Sequence, residues 1–86
     1  MKILTHPKFD KAFKDLSPGR KEKFYEQIKI FLEDAADNRL HNHSLTGRYL
    51  GYRSINITGD LRIIFEEINS ETVKFVNIGT HSQLYG

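Results

Sequence analysis

The side chains best suited to proton transfer in this 86-residue chain are four histidines, His6, His41, His43 and His81. An imidazole has an unperturbed pKa of about 6.5, so it can accept or donate a proton at neutral pH. His41 and His43 stand two residues apart, which in an extended segment places both rings on one side. The pair could bind a metal ion, but no third ligand follows at a spacing typical of metal sites. We therefore predict no metal site and no cofactor.

Several other kinds of chemistry are excluded by what the sequence lacks. It contains no cysteine, so it can form neither disulfides nor thiolate metal sites and has no cysteine nucleophile. It also has no phosphate-binding glycine loop and no serine nucleophile elbow. No apolar run approaches the roughly 18 to 20 residues of a membrane span, and the N-terminus has no signal-peptide core. We expect a cytoplasmic protein with no membrane partner.

The charges are unevenly distributed along the chain, although the net charge is only +2. Residues 1–23 carry seven Lys or Arg against three acids, whereas residues 26–37 carry four acids and one lysine. A basic patch attracts polyanions such as nucleic acids. Single lysines on a helix more often serve only to solvate its exposed face, so the basic segment permits a nucleic-acid partner without establishing one.

The N-terminal half has the pattern of a strand followed by two helices. Residues 1–5 are short and apolar, and Pro7 suits the first turn of a helix. Apolar side chains then recur at helical spacing over residues 9–16. Ser17 can cap a second helix that we predict from Pro18 to about Ala36. Its predicted buried stripe is Phe24, Ile28, Phe31, Leu32 and Ala35.

The C-terminal half has the pattern of a loop followed by three strands. Residues 38–46 are rich in loop formers, and β-prone segments follow at 51–57, 61–68 and 72–78 with turn signals between them. The spacing predicts antiparallel neighbours. The chain is therefore expected to form one domain over residues 1–86, with an α+β fold of order β-α-α-β-β-β.

Alternation along the second of these strands indicates how the layers face each other. Leu61, Ile63 and Phe65 are all apolar and should face the helices, so Arg62 should point to the opposite face of the sheet. We predict a helical hairpin packed on one face of a twisted, mainly antiparallel sheet. The other face is left at least partly free to hold a site.

Short motifs of the C-terminal half occur in a fixed order. They are Leu45-x-Gly47, Gly51-Tyr52-Arg53, the run from Asp60 to Phe65, and the ending Gly79-Thr80-His81-x-x-Leu84-Tyr85-Gly86. Together they resemble the RelE/ParE superfamily of bacterial toxins over about residues 38–86, while the helical half matches it in layout.

Within this superfamily the chain is most similar to the YafQ-like toxins. These end in glycine-threonine-histidine followed four residues later by an aromatic, and His81 and Tyr85 stand at those places. His43 and Asp60 match a histidine and an aspartate of the same toxins, and Arg62 stands where the wider RelE group has an arginine. Asn56 departs from the pattern, because YafQ-like toxins carry a histidine there.

The resemblance implies a ribosome-dependent ribonuclease that cuts mRNA through the RNA's own 2′-hydroxyl. His81 would be the general acid, and the base would be His43 or Asp60, between which the sequence does not decide. Arg62 would hold the phosphate in its planar fork. Tyr85 would stack on a base or bond to the phosphate, with Arg53 and Asn56 holding the RNA backbone. The implied partners are a cognate antitoxin, ribosome-bound mRNA and ribosomal RNA.

Each of these side chains also has an ordinary structural interpretation. Asp60 could close its turn, Arg62 could pair with Glu66 or Glu67, and Tyr85 could cap the core. Two other functions remain open. A ParE-like toxin would inhibit gyrase without cutting RNA, although that branch generally lacks the terminal histidine and aromatic. An inactive member would act only as an antitoxin-binding module, which Asn56 makes conceivable.

Overall fold

Five strands form one sheet in this computed structural model, which describes all 86 residues. The strands are β1 (Lys2–Thr5), β2 (His43–Ser44), β3 (Arg53–Asn56), β4 (Leu61–Asn69) and β5 (Thr72–Thr80). Their spatial order is β1-β5-β4-β3-β2. β1 runs parallel to β5, and the other three pairings are antiparallel. The predicted α+β architecture with a mainly antiparallel sheet is confirmed.

Two helices, α1 (Pro7–Lys14) and α2 (Pro18–Glu33), cross one face of this sheet. Each begins with a capped proline turn, as predicted. The His6 Nδ1 atom accepts a hydrogen bond from the Lys8 amide at 3.0 Å, and Ser17 Oγ accepts one from the Arg20 amide at 3.3 Å. These side chains satisfy amide groups that a helix start leaves unpaired.

The end and the buried stripe of α2 differ from the prediction in two details. The helix stops at Glu33 rather than about Ala36, because Asp34 adopts an extended backbone and its carboxylate accepts the Ala36 amide at 3.0 Å. Leu32 was predicted to be buried and is 50% exposed. At 100° per residue it lies about 80° around the helix from Phe24, at the edge of the stripe.

The main core lies between the sheet and these two helices, and we call it the helix-side core. Its aromatic rings are in direct contact: Phe31 meets Phe65 at 5.4 Å between centroids and Phe9 meets Phe75 at 5.5 Å. Burial of such large apolar rings is the main stabilising contribution to folding. The core comprises Phe9, Phe24, Ile28, Phe31, Leu40, Ile55, Ile57, Leu61, Ile63, Phe65, Val73, Phe75 and Ile78.

A smaller cluster covers part of the opposite sheet face, which was predicted to be at least partly free. Buried Leu45, Ile64 and Leu84 form this C-terminal cluster, and Tyr49, Tyr52 and Tyr85 pack against it. Ile64 lies on the same sheet face as Arg62, and it is completely buried. The cover comes from the loop before β3 and from a third helix, α3 (His81–Tyr85), which the sequence interpretation missed.

The segment predicted as a loop contains more structure than expected. It holds two 3₁₀ turns, Asn38–Leu40 and Gly47–Tyr49, and the two-residue strand β2. β3 is correspondingly shorter than the predicted 51–57. Gly47 and Gly51 have φ angles of 64° and 95°, a backbone conformation that is strained in residues with a side chain.

No helix of the protein has the length and apolarity needed to cross a membrane.

Candidate functional site

Strand register brings the predicted site residues onto the sheet face opposite α1 and α2. In one row His43 lies opposite Ser54, and Ser54 lies opposite Ile64. In the next row Asn56 lies opposite Arg62, which in turn lies opposite Gly79. Residues directly opposite each other share a face, with Cβ atoms about 4.5–5.5 Å apart. His43, Asn56 and Arg62 therefore form one surface, which we call the open face.

Arg62 has the most unusual surroundings of the residues on this face. Its Nε atom is buried and has no hydrogen-bond partner. It does not pair with Glu66 or Glu67, because the only two salt bridges are Lys23–Glu26 and Asp37–Arg39. A buried donor left unpaired costs about 1–3 kcal/mol, and a guanidinium donor is well suited to a phosphate oxygen. The arrangement favours an anion ligand over a structural role.

Ser54 is a second polar residue of the open face, and the sequence interpretation did not select it. It is 1% exposed, and its hydroxyl has no hydrogen-bond partner. The pairing of Ser54 with Ile64 puts it diagonally next to Arg62 on the adjacent strand. The only sequence signal was a serine whose alternation with Ile55 and Ile57 placed it on the same face as Asn56.

His43 is exposed, and one of its ring nitrogens is already engaged. The Nδ1 atom lies 2.7 Å from the carbonyl oxygen of His41, so Nδ1 carries the proton and donates it. This leaves Nε2 of the neutral ring free to accept a proton, as a general base must. His41 itself adopts a left-handed backbone at φ 49°, and no group of three or more His, Asp or Glu side chains is placed to hold a metal ion.

Asp60 lies in the turn between β3 and β4, but its side chain does not close that turn. The hydroxyl of Thr58 does so, accepting the Asp60 amide at 3.2 Å and the Leu61 amide at 2.9 Å. The Asp60 carboxylate is exposed and makes no hydrogen bond or salt bridge within the chain. The structural interpretation of this aspartate is therefore not supported.

His81 and Tyr85 belong to α3, so His81 begins a short helix directly after β5. Thr80 begins the helix through a capping box: its hydroxyl accepts the Gln83 amide at 3.2 Å, and the Gln83 carboxamide oxygen accepts the Thr80 amide at 2.8 Å. This Thr-x-x-Gln signal was present in the sequence. The exposed His81 ring lies 4.7 Å from the Tyr85 ring, one helical turn away.

The C-terminal helix is anchored next to the open face. Leu84 packs on Ile64 in the C-terminal cluster, and Gly79, opposite Arg62, precedes the helix by two residues. The Tyr85 ring stands edge-on to Tyr49 at 5.3 Å. α3, which carries His81 and Tyr85, therefore lies on the same side of the sheet as Arg62.

Arg53 is separated from the other predicted site residues. It lies opposite Phe65, so it points to the helix side, and its Nε donates to Asn42 Oδ1 at 2.8 Å. Arg53 was expected to hold the RNA backbone together with Asn56. Residues three apart in a strand point to opposite faces, so these two side chains do not share a surface. The Asn56 side chain lies on the open face and makes no hydrogen bond, whereas its backbone oxygen accepts Gln27 Nε2 of α2 at 3.0 Å.

The site is a surface rather than a deep pocket. The larger of two cavities, of about 560 Å³, lies between the α1–α2 connection and α3, and it contains none of the predicted catalytic residues. The smaller, of about 310 Å³, reaches Asn56 from the helix side. A shallow open face is compatible with an extended polymer, whereas small-molecule sites are usually enclosed.

The protein was compared with known families and structures. A family model described as "Bacterial toxin of type II toxin-antitoxin system, YafQ" matches residues 1–86. A search of curated proteins found no significant match.

Solved structures of several toxins share the fold. Escherichia coli YafQ from strain BL21(DE3) is 21% identical, with a TM-score of 0.79 and coverage of 99% of this chain and 98% of that one. YafQ in the E. coli DinJ–YafQ toxin–antitoxin complex is 22% identical, with a TM-score of 0.77 and coverage of 99% and 97%. A YoeB/ParE toxin from Agrobacterium tumefaciens is 19% identical, with a TM-score of 0.76 and coverage of 94% and 99%.

These identities show a common fold, and the family model spans the whole chain. The resemblance recognised from the motifs of the C-terminal half is thereby confirmed. The protein belongs to the YafQ family of bacterial toxins of type II toxin–antitoxin systems.

Proposed function

We propose that this toxin is a ribosome-dependent mRNA endoribonuclease that inhibits translation. The observation that carries the proposal is the unpaired, buried Nε of Arg62. Arg62 lies on the same sheet face as His43 and Asn56, and α3, which carries His81, packs on that face. A cation without a counterion on a face that also has two imidazoles would supply what cleavage through a 2′-hydroxyl requires. These needs are a base, an acid and positive charge near the phosphate.

The proposed reaction proceeds by one displacement at phosphorus. The base removes the proton of the 2′-hydroxyl, and the 2′-oxygen forms a bond to phosphorus. The bond from phosphorus to the 5′-oxygen breaks, and His81 protonates the leaving oxygen. The products are a 2′,3′-cyclic phosphate and a 5′-hydroxyl. Each positioned acid or base contributes roughly 10²–10⁴-fold to the rate.

The base remains His43 or Asp60, and the structure adds support to both. His43 has a free Nε2 atom because Nδ1 is held by the His41 carbonyl. Asp60 has a free carboxylate because Thr58 closes the turn. Arg62 would bind the phosphate, Tyr85 would stack on a base at about 1–3 kcal/mol, and Asn56 would contact the RNA backbone.

A cognate antitoxin is the second proposed partner, with the ribosome and its RNA as the setting of the reaction. The support is the E. coli DinJ–YafQ toxin–antitoxin complex, whose YafQ shares the fold of this chain. An antitoxin that covered the open face would shield His81 and Arg62 from RNA, and its removal would release the activity.

Expression in bacteria followed by mapping of mRNA 5′ ends tests the proposed function. We expect new 5′ ends within translated regions, in frame, and their disappearance when translation initiation is blocked. DNA breaks with intact mRNA would instead support the gyrase-inhibiting alternative. Growth arrest with neither kind of damage would contradict both the ribonuclease and the gyrase-inhibitor interpretations.

A further inference from the structure

The short helix α3 is held by two side chains that no predicted role includes. Arg48 donates through Nη2 to the backbone oxygen of Leu84 at 2.8 Å, and the Tyr49 hydroxyl donates to the same oxygen at 2.8 Å. The Arg48 guanidinium also lies over the Tyr49 ring at 5.3 Å. Both residues belong to the 3₁₀ turn Gly47–Tyr49, which is 35 or more residues away in sequence.

A helix of this length requires external support. α3 has five residues, whereas isolated helices below about 12–15 residues are marginal in water. The Thr80–Gln83 capping box provides hydrogen-bond acceptors for two backbone amides at its start. Its last carbonyl groups have no partner within the helix, and the Leu84 oxygen is the one that receives both donors.

The turn that carries the two donors is itself firmly placed. The Leu45 amide donates to the Tyr52 oxygen at 2.9 Å, which closes the segment 45–52 at its base. Leu45 is buried with Ile64 and Leu84 in the C-terminal cluster. The two donors are therefore fixed relative to β4, the strand that carries Arg62.

We propose that Arg48 and Tyr49 are positioning residues that fix α3 relative to the sheet, so that His81 and Tyr85 are aligned with Arg62. The inference rests on the proposed ribonuclease function for its kinetic consequence only. The path of contacts is short. Tyr49 holds the carbonyl next to Tyr85 in sequence, its ring stands edge-on to the Tyr85 ring at 5.3 Å, and the Tyr85 ring meets His81 at 4.7 Å.

A carbonyl oxygen has two lone pairs, so either donor can hold Leu84 alone. We therefore expect non-additive effects. Tyr49→Phe and Arg48→Ala should each lower kcat for cleavage on programmed ribosomes by no more than about threefold. The double variant should lower kcat by at least about thirtyfold, because misplacement of a reacting group costs rate even when binding is retained. KM should change less than twofold, and Arg48→Lys combined with Tyr49→Phe should recover most of the rate.

Hydrogen exchange gives a second measurement that does not depend on any enzymatic activity. The Gly86 amide bonds to the Ser82 oxygen at 2.7 Å within α3, so it reports whether the helix is formed. Its exchange should accelerate at least tenfold in the double variant, while the amides of β4 stay protected. Tyr52→Phe is the matched control, because Tyr52 packs in the same cluster and its hydroxyl makes no hydrogen bond. Tyr52→Phe should change neither kcat nor the exchange rate of the Gly86 amide.

The two measurements separate the failure of this inference from the failure of the proposed function. Unchanged Gly86 exchange in the double variant would overturn the inference, whether or not RNA is cut. Accelerated exchange with an unchanged kcat would overturn it as well, since α3 would then be loose without consequence. Accelerated exchange in a protein whose wild type cuts no RNA would leave the anchoring of α3 established, overturn its kinetic role and contradict the proposed function.

Discussion

The two faces of the sheet differ in what is buried on them. On the helix side, thirteen buried residues form one apolar core that contains most of the phenylalanine rings. On the open face only three apolar residues are buried. The two buried side-chain atoms without a hydrogen-bond partner, Ser54 Oγ and Arg62 Nε, both lie there. The apolar core and the unpaired polar groups thus lie on opposite sides of the same strands.

This division shows how a short chain can keep an exposed site. A chain of this size buries only about 60–65% of its unfolded surface, so it has little stability to spare. Because one face supplies most of the apolar burial, the other can hold poorly paired polar groups. Unsatisfied donors of this kind are destabilising in the free protein and become favourable when a ligand supplies the acceptor.

The largest expected effect comes from breaking the helix-side core. Phe31→Ala removes a ring that is 1% exposed and contacts Phe65 and Phe75, and it should lower the free energy of unfolding by about 3–5 kcal/mol. Leu32→Ala is the matched control on the same helix, because Leu32 is 50% exposed. Urea unfolding measures both. Similar losses for the two variants would show that the core is not where the structure puts it.

The next largest effect should follow from Arg62→Ala, and it should appear in the rate of RNA cleavage. Loss of the phosphate contact should raise the barrier to cleavage by about 2–4 kcal/mol. The free energy of unfolding should stay equal or rise, because a buried unpaired donor is removed. Arg62→Lys should be intermediate, since it keeps the charge and loses the fork.

The matched control for Arg62 is Lys74→Ala. Lys74 is a cation on the same face at the far end of β5, opposite Glu66. Single-turnover cleavage on programmed ribosomes should be unaffected by this change. Equal slowing by both substitutions would indicate general electrostatic attraction of RNA rather than a defined phosphate site.

Asp60→Asn separates the two candidate bases. With Asp60 as the base, it should slow cleavage by roughly 10²-fold, the lower end of the range for a general base. The melting temperature should not change, because Thr58 rather than Asp60 closes the turn. Thr58→Val is the counterpart that should lower the melting temperature and leave the rate nearly unchanged. An unchanged rate in Asp60→Asn would leave His43 as the base.

The smallest expected effect concerns Asp37, which lies in the segment between α2 and β2. Hydrogen bonds from the Arg39 side chain and amide lower the pKa of Asp37 to about 2, from 3.8. A lowered pKa contributes stability that is present above about pH 4 and is lost as the pH falls to about 2. The wild type should exceed Asp37→Asn slightly in stability at neutral pH and match it near pH 2. A pH-independent difference between their melting temperatures would contradict this origin.

The fold was largely predictable because its elements are strongly patterned. Pro7 and Pro18 mark helix starts, and the apolar residues of β4 alternate with Arg62, so both helices and the layer order follow from the sequence. The short elements were missed. The strand β2 has two residues and is defined by pairing with β3, which no local pattern encodes.

The site was predictable in part, and mainly through family motifs. Alternation placed Arg62 and Asn56 on one face, but the same rule, applied to Arg53, would have separated it from Asn56. The helix containing His81 was signalled by Thr80 and Gln83, three residues apart, and was overlooked because the segment is so short. The burial of Ser54 and the anchoring of Leu84 by Arg48 depend on contacts between distant segments, which only the folded chain shows.

The proposal that the open face is a ribonuclease site is tested most directly by His81→Ala. The measurement is the single-turnover rate of mRNA cleavage on programmed ribosomes, together with thermal melting. His6→Asn is the matched control, because His6 only caps α1 through its side chain and asparagine is a good helix cap. We predict that wild type and His6→Asn cleave at the same rate, while His81→Ala is at least about 100-fold slower with an unchanged melting temperature. Cleavage by His81→Ala at the wild-type rate would contradict the proposed site.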